Sequence, residues 1–180
     1  RSPSQIWGNH GTACSGIISA KTNNNLGVAG IAPNCPVMSI SNQLMGTSDA
    51  PQKRADGFNW AWRNGASVIS NSWRSSTFSE LLEDAIQSAM TNGRNGLGCV
   101  VTFSAGNYDS NTVGYPARSL PDIIVVGALS LSGKRKSSTT IDNEGWWGSD
   151  YGTQLDIMAP GVLIYTTDRT GCFGRLYAKF

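Results

Sequence analysis

The segment CVVTFSAGN at 99–107 narrows the possible folds more than any other part of the chain. Apolar and β-branched residues in an unbroken run, then small residues and an amide, read as a strand buried on both faces that ends in a tight turn. Such strands belong to parallel sheets whose faces are covered by helices, and chemistry gathers where the strands end. Other strand-like stretches at 36–41 (PVMSIS), 67–72 (SVISNS), 122–128 (DIIVVGA), 155–158 and 162–166 alternate with helix-like ones at 12–20, 49–64 and 77–93. The alternation predicts an α/β fold, a mostly parallel sheet with helices on both faces, in one domain over residues 1–180.

The helix in TFSELLEDAIQSAMTNG is the best marked. Leu82, Ala85, Ile86 and Ala89 recur at helical spacing, Thr77 and Glu80 make a capping box, and Gly93 ends it. The preceding helix carries Ala55, Phe58 and Trp62 on one face. Glu80 and Asp84 lie four residues apart, as a carboxylate pair could, but with no other reactive group nearby in sequence they read as a solvated helix face.

Composition excludes several functions. Fourteen Lys and Arg against twelve Asp and Glu leave a net charge of +2, too even for a polyanion-binding surface, so nucleic acid is not expected as a partner. No apolar run approaches the ~20 residues of a membrane span. The chain opens with no basic stretch followed by an apolar one, so a signal peptide is expected upstream or already removed. Only 14% of residues are charged, against about 25% in ordinary domains, and Ser, Asn, Thr and Gly carry the polar surface.

Four cysteines, Cys14, Cys35, Cys99 and Cys172, accompany a single histidine and no C-x-x-C pair, which argues against structural zinc. Cys14, Cys35 and Cys99 have apolar neighbours and read as buried thiols. The basic run at 134–136 (KRK) has no interleaved aromatics and reads as an exposed loop. The spaced glycines of GRNGLG at 93–98 precede a strand instead of opening a helix, so they make no phosphate loop, and no G-x-S-x-G elbow is present.

That single histidine, His10, opens HGTACSG at 10–16. GVAGIAP follows at 27–33, SNSW at 70–73, FSAGN at 103–107, YPA at 115–117, VVGA at 125–128 and DIMAPG at 156–161. In this order the stretches resemble the subtilisin-like serine proteases over nearly the whole chain. The resemblance implies the three-layer fold of that family, peptide-bond hydrolysis by an Asp-His-Ser triad, and an extracytoplasmic or secreted setting. His10 would be the general base and Asn107 the oxyanion donor, both serving one peptide carbonyl. Read alone, His10 could be a satisfied core histidine and Asn107 a turn residue tolerating left-handed backbone.

By the same resemblance an extended peptide substrate adds as a strand beside SNSWRS. Its primary specificity pocket lies between that segment and SAGN, with Ser72, Trp73, Arg74, Ser104, Ala105 and Gly106 as the binding residues. The family usually has glycine where Arg74 stands. Cys14 matches a cysteine of the proteinase K and kexin-like branches, which sits beneath the histidine. It is not expected to be a nucleophile, because side chains four apart on one helix do not present a thiolate and a base to one carbonyl. TNNNLGV resembles the family's calcium loop, with Asn24 giving a side-chain oxygen, Thr22, Leu26 and Val28 backbone carbonyls, and the remaining ligands coming from upstream; no cofactor is implied for the chemistry.

Two parts of the family pattern are not in these 180 residues. No D-[ST]-G turn precedes His10, and no G-T-S-x-A-x-P stretch follows GRLYAKF. GTSDAP at 46–51 imitates the latter but precedes the oxyanion stretch, and Ser48 reads as a loop residue capping the helix at 49. Asp109, Asp122 and Asp156 follow the histidine and none sits in D-[ST]-G. The expectation is an internal part of a peptidase domain, incomplete at both ends and inactive alone, which associates with a second copy or with the missing parts of the domain. The alternative is a non-catalytic relative of the same fold used for binding or assembly.

Overall fold

The computed structural model describes residues 8–42, 46–169 and 177–179. Their contacts form two compact units. The larger, residues 46–162 with Asn42, is built from α2 and α3 on a parallel sheet; the smaller, residues 8–41 with 163–169 and 177–179, is built around α1 (His10–Ser19).

In the larger unit α2 (Ala50–Arg63) leads into β1 (Val68–Asn71), α3 (Glu80–Gly96), β2 (Val100–Ser104), β3 (Ile124–Leu129) and β4 (Ile157–Pro160). The strands lie side by side in chain order and all pairs are parallel, with Asn71 opposite Phe103, Phe103 opposite Val125 and Gly127 opposite Met158. Leu82, Ala85, Ile86 and Ala89 of α3 form one buried core with Ala55 and Phe58 of α2, Val101 and Phe103 of β2, and Val125 of β3. The period-3.6 pattern of α3 and the period-2 pattern of β2 thus meet at one apolar face.

Details depart from expectation. Residues 36–41 form no ladder with any described strand, and Val37, Met38 and Ile40 are exposed; an apolar run becomes a strand only where a neighbour takes its backbone groups. The run at 99–103 is buried on one face only. Val101 and Phe103 point to the helices, whereas Val100 stays 39% exposed, because α2 and α3 pack on the same side of β2.

Helix α3 is capped by Ser79, whose Oγ accepts from Leu82 N at 3.3 Å, not by Thr77. The helix begins at Glu80, and the cap must be the extended residue just before it. Asp49, not Ser48, holds the corresponding place before α2. Regular helix in α3 does break at Gly93, where ψ turns to 160°.

In the smaller unit the start of α1 is fastened to β5 (Tyr165–Thr167). Thr166 Oγ1 donates to Ala13 O at 2.6 Å and Thr167 Oγ1 to Thr12 O at 2.8 Å. Gly16 faces these two threonines so closely that a Cβ there would collide with them. β5 pairs antiparallel with β6 (Tyr177–Lys179).

Candidate active site

His10 is the first residue of α1 and is exposed. Asn9 before it donates from Nδ2 to Asp168 Oδ1 at 2.8 Å, so the backbone entering the helix is tied down. One turn on, the half-buried Cys14 places Sγ 3.9 Å from His10 Nδ1. The sulfur accepts from the protonated ring and raises the His10 pKa above its ordinary 6.5, against the opposing pull of partial burial. This imidazole is accessible, as a general base requires.

In the larger unit β2 ends at Ser104, and the turn that follows is held on every side. Ala105 N donates to Val126 O and Ala105 O accepts from Gly114 N. Gly106 adopts φ +119°, a conformation open to glycine and strained for other residues. Asn107 itself does not have positive φ, so it is not the left-handed turn residue that a bare Gly-Asn suggests. Its side chain is exposed and makes no hydrogen bond among the described residues.

The residue that fixes this turn is Asp150, which sequence reasoning missed. Its carboxylate is fully buried, and Oδ1 accepts from Tyr108 N and Ser110 N, each at 2.9 Å. Its backbone N–H donates to Gly106 O at 2.9 Å. Asp109 between them pairs with Arg135 and also accepts from Ser138 N and Oγ at 3.0 Å. The Ser138 N–H first, and the Arg135 guanidinium second, hold its carboxyl down at about 2.

Of the expected substrate-binding residues, Ser104 and Arg74 are exposed, and Ser72 and Gly106 half-buried. Trp73 turns inward: its ring stands edge-on to Phe103 at 5.0 Å, its Nε1 donates to Asn71 Oδ1, and Arg54 stacks on it. The Ala105 side chain is in the core and both its backbone groups are paired, so Ala105 and Trp73 face the interior. Tyr115 ties the neighbouring segments together. Its carbonyl accepts from Ser75 N, and its hydroxyl exchanges hydrogen bonds with the Ser79 backbone at 3.0 Å.

Two expectations are corrected. The basic run is no exposed loop, for only Lys134 is exposed; Lys136 is fully buried, donating to the carbonyls of Ser137, Glu144 and Trp147 and lying 3.4 Å from buried Asp142. Sequence neighbours mislead here because a long stem and a buried acceptor set decide where an ammonium goes. Cys35 is exposed in a turn, unlike buried Cys99, whose thiol donates to Ala66 O at 3.0 Å. In the loop at 22–28 Asn24 Oδ1 accepts from Leu26 N at 3.1 Å, and calcium, which takes six to eight oxygens, would draw its remaining ligands from outside this loop. Among the described residues no three His, Cys, Asp or Glu cluster to hold a metal. Cys172 and most of GRLYAKF lie outside the described residues.

The model of the Subtilase family matches residues 1–178. Subtilisin NAT of Bacillus subtilis subsp. natto is 34% identical over 178 residues, covering 96% of this chain and 42% of that protein. A calcium-dependent protease of Trichormus variabilis is 33% identical over 183 residues, covering 92% and 26%. Among solved structures the prenylagaramide maturation protease PagA superposes with a TM-score of 0.68 at 25% identity, over 94% of this chain and 56% of that one. The chain thus spans less than half the length of these two curated relatives. A match across both compact units, joined to a parallel α/β sheet with a glycine-shaped turn after β2, establishes that the chain belongs to the subtilase family of serine peptidases.

Proposed function

We propose that these residues supply the general base and the oxyanion donor of a serine endopeptidase. The observation that supports it most is Asn107: an exposed amide that makes no hydrogen bond to the described residues, at the carboxyl end of a parallel strand, in a turn pinned by Asp150. In the proposed reaction His10 takes the proton of a serine hydroxyl as that oxygen attacks the peptide carbonyl, and later returns it to the leaving amine. Asn107 Nδ2 donates to the oxyanion formed in between. Removing one such donor costs about 10²–10³ in turnover, roughly 2.7–4 kcal/mol, a magnitude known from subtilisin itself.

The serine and the aspartate of the triad are not among these 180 residues, so the activity is proposed for a polypeptide that contains them together with residues 1–180. The partner is a peptide or protein laid beside 72–75, in an extracytoplasmic or secreted setting. Val68, Val100 and Ile157, all exposed on the sheet of the larger unit, are the apolar residues proposed to be covered by the rest of such a domain or by a second copy. No cofactor takes part, and the four oxygens of the 22–28 loop do not by themselves hold calcium.

The test is hydrolysis of a chromogenic peptide and labelling by a serine-directed phosphonate, with the gene product at its natural length. His10→Ala should abolish turnover and Asn107→Ala lower kcat by about 10²–10³, while the isolated 180 residues stay inactive. A natural-length product with no His10-dependent turnover and no labelling would instead support the non-catalytic, binding relative.

A further inference from the structure

The side chain of Arg74 lies where the family usually has none, and its surroundings hold it in one place. The segment 72–75 is stitched to the loop at 113–115 by Ser75 N donating to Tyr115 O, and that loop to the strand-end turn by Gly114 N donating to Ala105 O. Arg74 runs along this seam. Its Cβ, Cδ and Nε lie 3.2, 3.5 and 3.6 Å from where a Cβ on Gly114 would be. Its guanidinium stacks on the Tyr108 ring at 4.2 Å, and Nη1 stands 3.5 Å from Asp150 Oδ2, the oxygen that fills the space a Gly106 side chain would need.

Two charges meet here, and burial decides which one a ligand encounters. The Asp150 carboxylate is wholly buried, whereas the Arg74 side chain is 43% exposed. The guanidinium makes no hydrogen bond to the described residues, and Asp150 Oδ2, 3.5 Å away, has no hydrogen-bond partner among them. Its N–H groups therefore remain available while its position is fixed from behind by a ring and a carboxylate. That is a preorganised fork for a second carboxylate.

We propose that Arg74 determines specificity, making the pocket between 72–74 and 104–106 select peptides whose residue on the acyl side of the cleaved bond is glutamate or aspartate. The proposal rests on the endopeptidase reading above. A lysine or arginine side chain meets like charge at the guanidinium, and a large apolar one must lift it off Tyr108. An acidic side chain finds unengaged donors.

The test compares peptide anilides that differ only at that residue (Glu, Gln, Leu, Lys), cleaved by the gene product at its natural length. The expected kcat/KM is about ten- to a hundredfold higher for Glu than for Gln, the worth of a hydrogen bond to a charged group, and lowest for Lys. Arg74→Gly should erase the Glu-over-Gln ratio, and so should Arg74→Gln, which keeps a stem over Gly114 should the glycine variant fold poorly. A native preference for Leu or Lys, or an unchanged ratio in both variants, overturns the proposal. Absence of any turnover defeats the endopeptidase reading instead, and the pocket is then tested by tryptophan fluorescence with acetylated tripeptides ending in Glu, Gln or Lys. Tighter binding of the Glu peptide that Arg74→Gln removes supports the proposal; equal binding of all three overturns it.

Discussion

Asp150 and Gly106 interlock: the aspartate N–H donates to the glycine carbonyl at 2.9 Å, and its carboxylate oxygen occupies the volume a side chain on Gly106 would need. The turn carrying Asn107 is thereby shaped by a residue 43 positions further along the chain.

Asp150→Ala removes the acceptor of two backbone N–H groups and leaves both without a partner beneath the turn. Charge-assisted bonds of this kind contribute about 1.5–3 kcal/mol each, and the pair is not additive, so a loss of about 3 kcal/mol is expected. Urea unfolding of the 180-residue chain measures it. In a natural-length active enzyme kcat should fall for every substrate, because Asp150 positions Asn107, while any change in KM should be confined to substrates that engage Arg74, the other group Asp150 holds. Asp150→Asn keeps an acceptor at Oδ1 and should recover most of both losses.

Lys136 and Asp142 form a buried pair in the loop that leads to Asp150, with the ammonium also held by three carbonyls and by the Trp147 ring at 5.0 Å. Lys136→Met strands the Asp142 carboxylate in the interior, which costs about 3–5 kcal/mol. Lys136→Met with Asp142→Leu removes both charges and should recover part of that loss. Urea midpoints of the two variants decide; equal midpoints for the single and double variants would mean that the carbonyls, not the ion pair, dominate.

What the sequence makes legible here is what has a period or a fixed order. The apolar repeat of α3, the strand at 99–103 and Gly-Asn after it are local patterns and map onto the elements expected, although the strand is buried on one face and not on both. Asp150, Lys136 and Asp109 were not legible, because each acts on backbone or side chains far along the chain and its residue type alone does not tell a buried acceptor from a surface charge. The lone acid in the Gly-flanked stretch GSDYG is the signal that could have marked Asp150. The strand expected at 36–41 misled for the converse reason: its pattern is local, but a strand needs a partner.

His10 and Cys14 test whether the environment of the base is set within α1. With the sulfur 3.9 Å from Nδ1, the imidazole is expected to titrate above 6.5 in the 180-residue chain, followed by the NMR shift of its ring proton. Cys14→Ala leaves only partial burial and the positive helix start, both of which disfavour the charged ring, so the titration should fall to 6.5 or below. A folded pKa above the unfolded one means that this contact stabilises α1 below pH 6.5 and ceases to do so as pH rises through the folded value. A titration unmoved by Cys14→Ala would show that the thiol has no influence on the base.

Asp109 gives the opposite sign. Its carboxyl is held at about 2, below the ordinary 3.8, by Ser138 N–H and Arg135, so its contribution to stability is fully present above 3.8 and disappears as pH falls through about 2. Asp109 bridges the loop after Asn107 to the 135–138 strap, and Asp109→Asn keeps the shape while removing the charge that Arg135 meets. The urea midpoint of Asp109→Asn should therefore lie below that of the parent at pH 6 and draw level with it near pH 2. Because the ion pair is partly exposed, added salt should narrow the pH 6 difference. A gap between the two proteins that persists unchanged at pH 2 would assign the role of Asp109 to the geometry of its hydrogen bonds, not to its charge.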